Sequence, residues 1–152
     1  QLREHGITHV LSLLASGSTI KIPRELGFRH DVVEIEDNPF ADLLGILDEA
    51  CAFIDAALHT QTTQDMKMLV HSLQRICRSA AVVVGYVMRT LGLDCVQAVK
   101  VVQDARPILM ANAGFAEQLE LWERMGHAVR TDDGEEKAVY SGWKIRRDWK
   151  RN

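Results

Sequence analysis

Apolar residues occur in short runs that alternate with stretches of helical periodicity. The runs at residues 9–14 and 28–35 are rich in valine, isoleucine and leucine and are bounded by glycine-containing or polar segments, which predicts two β-strands. From residue 42 to residue 58, apolar side chains recur at steps of three and four, which predicts an amphipathic helix with one core-facing side. Residues 66–70 are almost wholly apolar, which is typical of a buried central strand in a parallel sheet.

The second half of the chain is predicted to be helical. Residues 78–91 are so apolar that we expect their helix to be buried on nearly all of its faces. Asp94 and Asn112 are favourable N-cap residues for two further helices, which end near residues 105 and 124, and residues 137–152 form a last helix. Strands separated by helices favour an α/β domain with a mostly parallel sheet.

The composition is that of an ordinary globular domain. Of the 152 residues, 47% are hydrophobic and 26% are charged, with a net charge of −3, which argues against disordered, collagen-like and repeat proteins. The longest uncharged apolar stretch is about half the length of a membrane span, and no secretory signal pattern is present. Three cysteines without a CxxC pair exclude a disulfide scaffold and a zinc ribbon and indicate a reducing compartment. We therefore expect an intracellular protein, in the cytoplasm, the nucleus or both, with no membrane partner.

Positive charge is concentrated near the C-terminal end. Residues 137–152 carry a net charge of +5, and the other 136 residues carry −8. A solvated helix end is the simplest interpretation, so nucleic acid is not favoured as a partner, although this basic tail leaves it open. Trp143 and Trp149 lie in the tail and cannot both face water without cost. We expect at least one of them to pack on the body of the protein or on a partner.

The segment from residue 69 to residue 79 has the features of an anion-binding site. An apolar strand leads through a loop into the start of an apolar helix, where unpaired backbone N–H groups and the helix dipole favour a negative ligand. Arg78 can add a planar guanidinium with two parallel donors for phosphate oxygens, and Ser72 opens the loop. The pattern predicts a site for phosphate or sulfate. An ordinary strand–helix turn with a surface arginine is the alternative.

The same segment resembles a known catalytic loop. His71-Ser72, followed after five residues by Arg78-Ser79, is similar to the His-Cys-x5-Arg-Ser loop of the protein-tyrosine and dual-specificity phosphatases. The flanking strand and helix resemble the dual-specificity branch. Further motifs that match this branch lie at residues 5–11, 35–38, 106–108 and 112–119.

The resemblance covers about residues 2–126 and implies a fold. This fold is the phosphotyrosine phosphatase-like α/β fold of the dual-specificity branch, with a central, mostly parallel sheet flanked by helices. The resemblance also implies that the family's first strands lie upstream of Gln1 and are missing from this chain. Residues 1–126 are then expected to form the domain, and residues 127–152 a C-terminal linker and basic helical tail.

The resemblance gives candidate roles to three residues. Ser72 occupies the nucleophile position, which is cysteine in active relatives; Asp37 matches the general acid; and Arg78 matches the arginine that binds the phosphate. Asp42 lies close enough in sequence to compete with Asp37, which could instead be a turn residue before Pro39. The expected phosphate loop consists of His71, Ser72, Leu73, Gln74, Arg75, Ile76, Cys77, Arg78 and Ser79.

Three residues depart from the active pattern. Ser72 replaces the cysteine, and a hydroxyl does not ionise near neutral pH without a dedicated base. Arg75 stands where the family has a glycine. If the backbone there is left-handed, the arginine side chain costs about 1–2 kcal/mol of conformational free energy. The resemblance implies a Ser or Thr hydroxyl just before the arginine, to stabilise the departing thiolate, and Cys77 stands there as a weak donor. The combination resembles the pseudophosphatases of the STYX type, which keep the fold and recognise phosphoproteins without hydrolysing them.

The sequence therefore predicts a catalytically inactive dual-specificity phosphatase-like protein that binds phosphorylated serine, threonine or tyrosine in a protein or peptide. One alternative is an active dual-specificity phosphatase, with a cysteinyl-phosphate mechanism, that carries a Cys-to-Ser trap substitution. A second alternative is a structural adaptor that binds no anion, and Cys77 as a displaced nucleophile is a further option. No cofactor is expected, and no metal, because the six histidines lack the spacing of metal ligands.

Overall fold

Three strands and five α-helices alternate along the chain in a computed structural model that describes residues 1–22, 24–59, 67–73, 77–107 and 111–152. The strands are β1 (Ile7–Leu14), β2 (Arg29–Glu34) and β3 (Lys67–Ser72). The helices are α1 (Leu43–His59), α2 (Cys77–Leu91), α3 (Cys95–Ala105), α4 (Ala113–Arg124) and α5 (Ala138–Arg151), and a short 3-10 helix covers Arg24–Leu26. The predicted α/β architecture is confirmed.

Within the described residues the sheet runs in the order β2-β1-β3, with neighbouring strands parallel. β1 is the central strand, and its residues from His9 to Leu14 are buried. The prediction that residues 66–70 form the central buried strand is wrong, because β3 lies beside β1 with its side chains at most half-buried; Met66 lies outside the described residues. An open groove between β3, α1 and α2 leaves Met68 and Val70 partly exposed. An apolar run indicates that a strand is covered, but it does not fix the order in which strands pair.

Most of the largest buried side chains come from β1, α1, α2 and α4 and belong to one hydrophobic cluster. Gly85 allows α2 to approach α1, because a Cβ at this position would lie 2.7 Å from Cδ2 of Leu47. Trp122 of α4 is fully buried and donates a hydrogen bond from Nε1 to the Gly85 carbonyl at 3.2 Å. α2 is less enclosed than predicted, since Val83 and Tyr86 are only half-buried on the side that lines the groove next to β3.

The two predicted N-caps are confirmed. Asp94 accepts from the backbone N–H of Gln97 at 2.8 Å, and the Gln97 side chain accepts from the Asp94 N–H, which completes a capping box at the start of α3. Asn112 accepts from the N–H of Phe115 at 2.9 Å at the start of α4. In the described part of the chain no single helix has the length and hydropathy to cross a membrane; α2 and α3 meet these criteria only as a pair bent by 118°.

α5 is packed on the body of the protein through its N-terminal half. Trp143 is 4% exposed and Trp149 is 82% exposed, so the expectation that at least one of the two docks is confirmed. The Tyr140 hydroxyl donates to Oδ2 of Asp42 at 2.7 Å, and Arg147 lies 3.6 Å from the same oxygen. These contacts fix α5 to the segment that leads into α1.

Candidate functional site

The predicted strand–loop–helix segment is formed by the end of β3 and the start of α2. β3 ends at Ser72, which pairs with Leu13 of the central strand, and α2 begins at Cys77. The backbone N–H groups of the first helical turn are therefore close to the end of a strand in the sheet. Three residues of the expected phosphate loop, Gln74, Arg75 and Ile76, lie outside the described residues.

Ser72 contacts a hydroxyl on the first turn of α2. Its Oγ donates to Ser79 Oγ at 3.2 Å, and the Ser79 backbone N–H donates to Ser72 Oγ at 3.4 Å. This hydroxyl belongs to Ser79 and not to residue 77, where it was expected. The reason is helical geometry, because residues 77 and 79 differ by about 200° around the helix axis. A hydroxyl therefore lies within hydrogen-bond distance of the candidate nucleophile position, and it accepts from Ser72.

Arg78 is buried at the start of α2, with 5% of its surface exposed, so the alternative of a surface arginine is wrong. Its Nη1 donates to the Ile35 carbonyl at 3.1 Å, and its Nη2 donates to the Leu73 carbonyl at 2.5 Å. Within the described residues its Nε has no hydrogen-bond partner, and no carboxylate forms an ion pair with it. The site thus contains a buried positive charge with an unpaired donor.

Asp37 lies on the segment between β2 and α1 and is held by α4. The Asn112 side chain donates from Nδ2 to Asp37 Oδ1 at 3.1 Å, while its own Oδ1 caps α4. Asp37 Oδ2 is buried and has no hydrogen-bond partner among the described residues. Ile35, whose carbonyl binds Arg78, is only two residues away. The loop with the candidate acid is thereby tied to the candidate phosphate loop and to α4.

Asp42, the competing carboxylate, is engaged in structural contacts. Its Oδ1 accepts from the N–H of Gly45 at 2.8 Å in the first turn of α1. Its Oδ2 accepts from the Tyr140 hydroxyl, and burial followed by this hydrogen bond raises the pKa of Tyr140, which stays a neutral donor. Because both oxygens of Asp42 have partners, Asp37 is the better candidate for a proton donor.

A chain of hydrogen bonds joins the three strands next to the loop. The buried Ser12 of β1 has its Oγ 2.6 Å from Nε2 of His71 and 2.8 Å from Nε2 of His30. A hydroxyl has one hydrogen, so Ser12 donates to one imidazole and must accept from the other. The sequence interpretation missed Ser12 and His30; the available signal was a serine within the apolar run of β1.

This arrangement predicts that the protein loses stability in mild acid. The pKa of His71 is lowered from its ordinary value of 6.5, first by burial and second by the charge of His30. The unfolded chain takes up a proton at this histidine near pH 6.5, whereas the folded chain resists protonation to lower pH. The stabilising effect is complete above this pH and is lost as the pH falls below it. We expect the free energy of unfolding, measured in urea, to decrease from about pH 7.5 to about pH 5.5.

The His71→Gln variant provides the control, because it keeps a hydrogen-bonding side chain and removes the titration. Its unfolding free energy should change less steeply over the same pH range. Some slope should remain, since burial also lowers the pKa of His9 and His127. A slope as steep as that of the unaltered protein would show that His71 does not contribute.

Cys51 in α1 and Cys95 in α3 are not activated nucleophiles. Burial raises the pKa of the Cys51 thiol to about 11, and burial followed by the charge of Glu120 raises the pKa of Cys95. A thiol with a raised pKa is protonated near neutral pH and unreactive. Among the described residues, no three or more His, Cys, Asp and Glu side chains are grouped so that they could hold a metal ion.

The fold and this geometry define an α/β phosphatase-like domain whose candidate anion site joins a parallel strand to a buried helix. The family model for the dual specificity phosphatase, catalytic domain, matches residues 1–125. The chain belongs to this family.

Two kinds of relatives are similar to the chain. Serine/threonine/tyrosine-interacting protein of Homo sapiens is 36% identical over 124 residues, which are 80% of this chain and 54% of that protein. Dual specificity protein phosphatase 12 of Rattus norvegicus is 36% identical over 149 residues, 96% of this chain and 41% of that protein, so this match extends into α5. The chain spans about half the length of the curated relatives it matches.

A solved structure agrees with both the fold and the sequence. The crystal structure of the human tyrosine phosphatase-like serine/threonine/tyrosine-interacting protein is similar with a TM-score of 0.72 and 35% sequence identity. The similarity covers 82% of this chain and 81% of that one.

Proposed function

We propose that this chain is a pseudophosphatase, a catalytically inactive dual-specificity phosphatase domain that binds phosphorylated serine, threonine or tyrosine through residues 71–79. The observation that carries the proposal is the state of Arg78, which is buried, has an unpaired Nε and has no carboxylate partner among the described residues. An unpaired buried donor costs about 1–3 kcal/mol, and more when it is charged. A phosphate group supplies both the counter-charge and the acceptor oxygens.

Absence of hydrolysis is proposed from the residue at the nucleophile position. A serine hydroxyl attacks phosphorus only when a base removes its proton. His71 is adjacent in sequence, but its Nε2 is hydrogen-bonded to Ser12 and so does not serve Ser72 from that nitrogen. Ser72 Oγ instead donates to Ser79. The related protein that is named for interaction with serine, threonine and tyrosine supports binding rather than turnover.

Two other functions are each favoured by a particular observation. The chain keeps Asp37 at the position that matches the general acid and has the Ser79 hydroxyl beside residue 72, and one relative is named a dual specificity protein phosphatase. This favours an active phosphatase in which serine has replaced the cysteine. The bonds from Arg78 to the Ile35 and Leu73 carbonyls favour an adaptor in which these oxygens take the place of an anion.

Calorimetric titration with a phosphotyrosine peptide, a phosphoserine peptide and the same peptides without phosphate distinguishes the three functions. We expect saturable binding of the phosphorylated peptides only. Arg78→Met keeps the size of the side chain and removes its charge and donors, so it should weaken binding at least about tenfold. Arg78→Lys keeps the charge without the planar pair of donors and should give an intermediate affinity.

The matched control is Arg89→Met, which removes an arginine from the last turn of the same helix, where it pairs with Asp48 at 3.3 Å. This variant should bind phosphopeptides like the unaltered protein. Thermal unfolding of each variant separates a lost contact from a lost fold. Equal binding of phosphorylated and unphosphorylated peptides would favour the adaptor, and release of phosphate during the titration would show an active enzyme.

A further inference from the structure

A cleft with basic walls lies between α5 and the loop that carries Asp37. We call it the α5 cleft. It has a volume of about 200 Å³ and is lined by Pro39 and Phe40 of the loop, Glu117 of α4, and Trp143, Arg146 and Lys150 of α5. α5 begins after the last residue that the family model matches, so one side of this cleft lies within the matched residues and the other side lies outside them.

The α5 cleft adjoins the candidate phosphate site across a single loop. Pro39 and Phe40 follow Asp37 by two and three residues. Gly114 at the start of α4 packs directly against the backbone of Pro39, and Asn112 of the same helix start holds the Asp37 carboxylate at 3.1 Å. The same segment contacts the candidate phosphate site through the Ile35 carbonyl, which accepts from Arg78 at 3.1 Å, while Pro39 and Phe40 form a wall of the cleft.

The charge of the cleft is only partly compensated. Arg146 and Lys150 are exposed, lie one helical turn apart on α5 and form no ion pair with the described residues. Arg147 differs, because it is paired with Asp42 and Asp148. Glu117 contributes one negative charge to the opposite wall. The cleft thus offers two unpaired cations against one carboxylate, a charge that an acidic ligand complements.

We propose that the α5 cleft binds an acidic side chain of the phosphopeptide near its phosphorylated residue, and that Arg146 and Lys150 determine this specificity. The inference rests on the proposed phosphopeptide binding and adds the sequence preference of that site. From Ile35, which accepts from Arg78, to Pro39 in the cleft wall the segment advances four residues and so spans at most about 14 Å. An extended peptide covers that distance in about four residues, which places the acidic residue about two to four positions from the phosphorylated one. The cleft lining also includes Pro39 and the exposed Phe40, whose apolar atoms can contact the methylene groups of a glutamate.

Fluorescence anisotropy with labelled peptides tests the inference. The probes are a phosphotyrosine peptide with glutamate at positions two to four on either side, the same peptide with alanine or with lysine there, and the glutamate peptide without phosphate. The unaltered protein should bind the glutamate phosphopeptide about tenfold more tightly than the alanine one, and added salt should reduce this preference. Arg146→Ala with Lys150→Ala should remove the preference and leave affinity for the alanine phosphopeptide unchanged.

Two further variants make the result specific. Arg146→Glu with Lys150→Glu should reverse the preference so that the lysine peptide binds more tightly. Arg124→Ala with Arg151→Ala removes the same charge from exposed positions that do not line the cleft, and it should keep the preference for glutamate.

The outcomes separate this inference from the proposed function. Phosphate-dependent binding with equal affinity for the glutamate and alanine peptides would overturn the α5 cleft as an acidic subsite and leave the proposed function standing. Equal binding of the glutamate peptide with and without phosphate would support the cleft and overturn the proposed function. A dimer that dissociates in the Arg146→Glu, Lys150→Glu variant would show that a second copy of the chain occupies the cleft. This result would also overturn the inference.

Discussion

Replacing Gly114 with alanine is expected to lower the free energy of unfolding by about 3 kcal/mol and to displace the loop that carries Asp37. A Cβ at residue 114 would lie 2.0 Å from the carbonyl oxygen of Pro39 and 2.4 Å from its Cα. These are backbone atoms, which cannot rotate away as the end of a side chain can. Since Asn112 at the same helix start holds Asp37, a shift of either segment should also disturb the Asp37 carboxylate. Urea unfolding measures the first effect, and phosphopeptide affinity reports the second.

Gly142→Ala is the matched control for this prediction. Residue 142 lies inside α5, where an added Cβ would be 3.4 Å from the side-chain nitrogen of Arg146 and would meet no backbone. Alanine is preferred over glycine in a helix interior, so this variant should gain about 0.5–1 kcal/mol. The same substitution therefore has opposite signs at the two sites. Equal stability of Gly114→Ala and the unaltered protein would contradict the close contact between α4 and the loop.

Combining Ser72→Cys with Arg75→Gly is expected to raise the hydrolysis of an aryl phosphate at least about 1,000-fold, whereas Ser72→Cys alone should reach less than about a tenth of that rate. A cysteine at residue 72, at the end of β3, would lie beside the Ser79 hydroxyl on the first turn of α2, and a thiolate there could accept a hydrogen bond from this hydroxyl. The resemblance to active phosphatases implies a glycine at residue 75, which lies outside the described residues. A side chain there costs about 1–2 kcal/mol if the backbone is left-handed, which corresponds to roughly a five- to thirtyfold effect on the rate.

The restored activity also tests the role of Asp37. Adding Asp37→Ala to the double variant should lower the rate about 100-fold, because the leaving oxygen then departs without a proton donor. Glu36→Ala in the same background removes the neighbouring carboxylate, which instead accepts from the Ser16 N–H, and should have little effect. Full activity of Ser72→Cys alone would show that Arg75 does not obstruct the loop. No activity in the double variant would show that more of the catalytic site has been lost than these residues.

The local features of the fold were predictable from the sequence. Asp94 and Asn112 mark helix starts because a short polar side chain caps the N–H groups of the next turn, which involves only neighbouring residues. The place of β3 in the sheet was not predictable, because β1 and β3 are both apolar and only their pairing decides which is central. The docking of Trp143 could be predicted from the cost of exposing two tryptophans, but its contact region near α4 and the Pro39 loop could not.

The sequence suggested the charged residues of the candidate site, but it did not suggest the residues that form hydrogen bonds with them. Arg78 and Ser72 were singled out from the strand–loop–helix pattern, and the resemblance to the phosphatases gave them roles and added Asp37. Ser12 and Asn112 were not expected to support them, since each belongs to a different element and meets the site only in the folded chain. The burial of Arg78 also depends on tertiary packing, because the sequence alone allowed a surface arginine at this position.

The most direct test of the account is the state of a phosphopeptide recovered after prolonged saturation of the unaltered protein. A phosphotyrosine peptide is bound to the protein and incubated for hours. The protein is then denatured, and the mass of the released peptide is measured by mass spectrometry. We predict that the peptide is retained by the protein and returns with its phosphate intact. Recovery of dephosphorylated peptide with free phosphate, or no retention of the phosphopeptide above its unphosphorylated form, would contradict a site that holds phosphate through Arg78 without cleaving it.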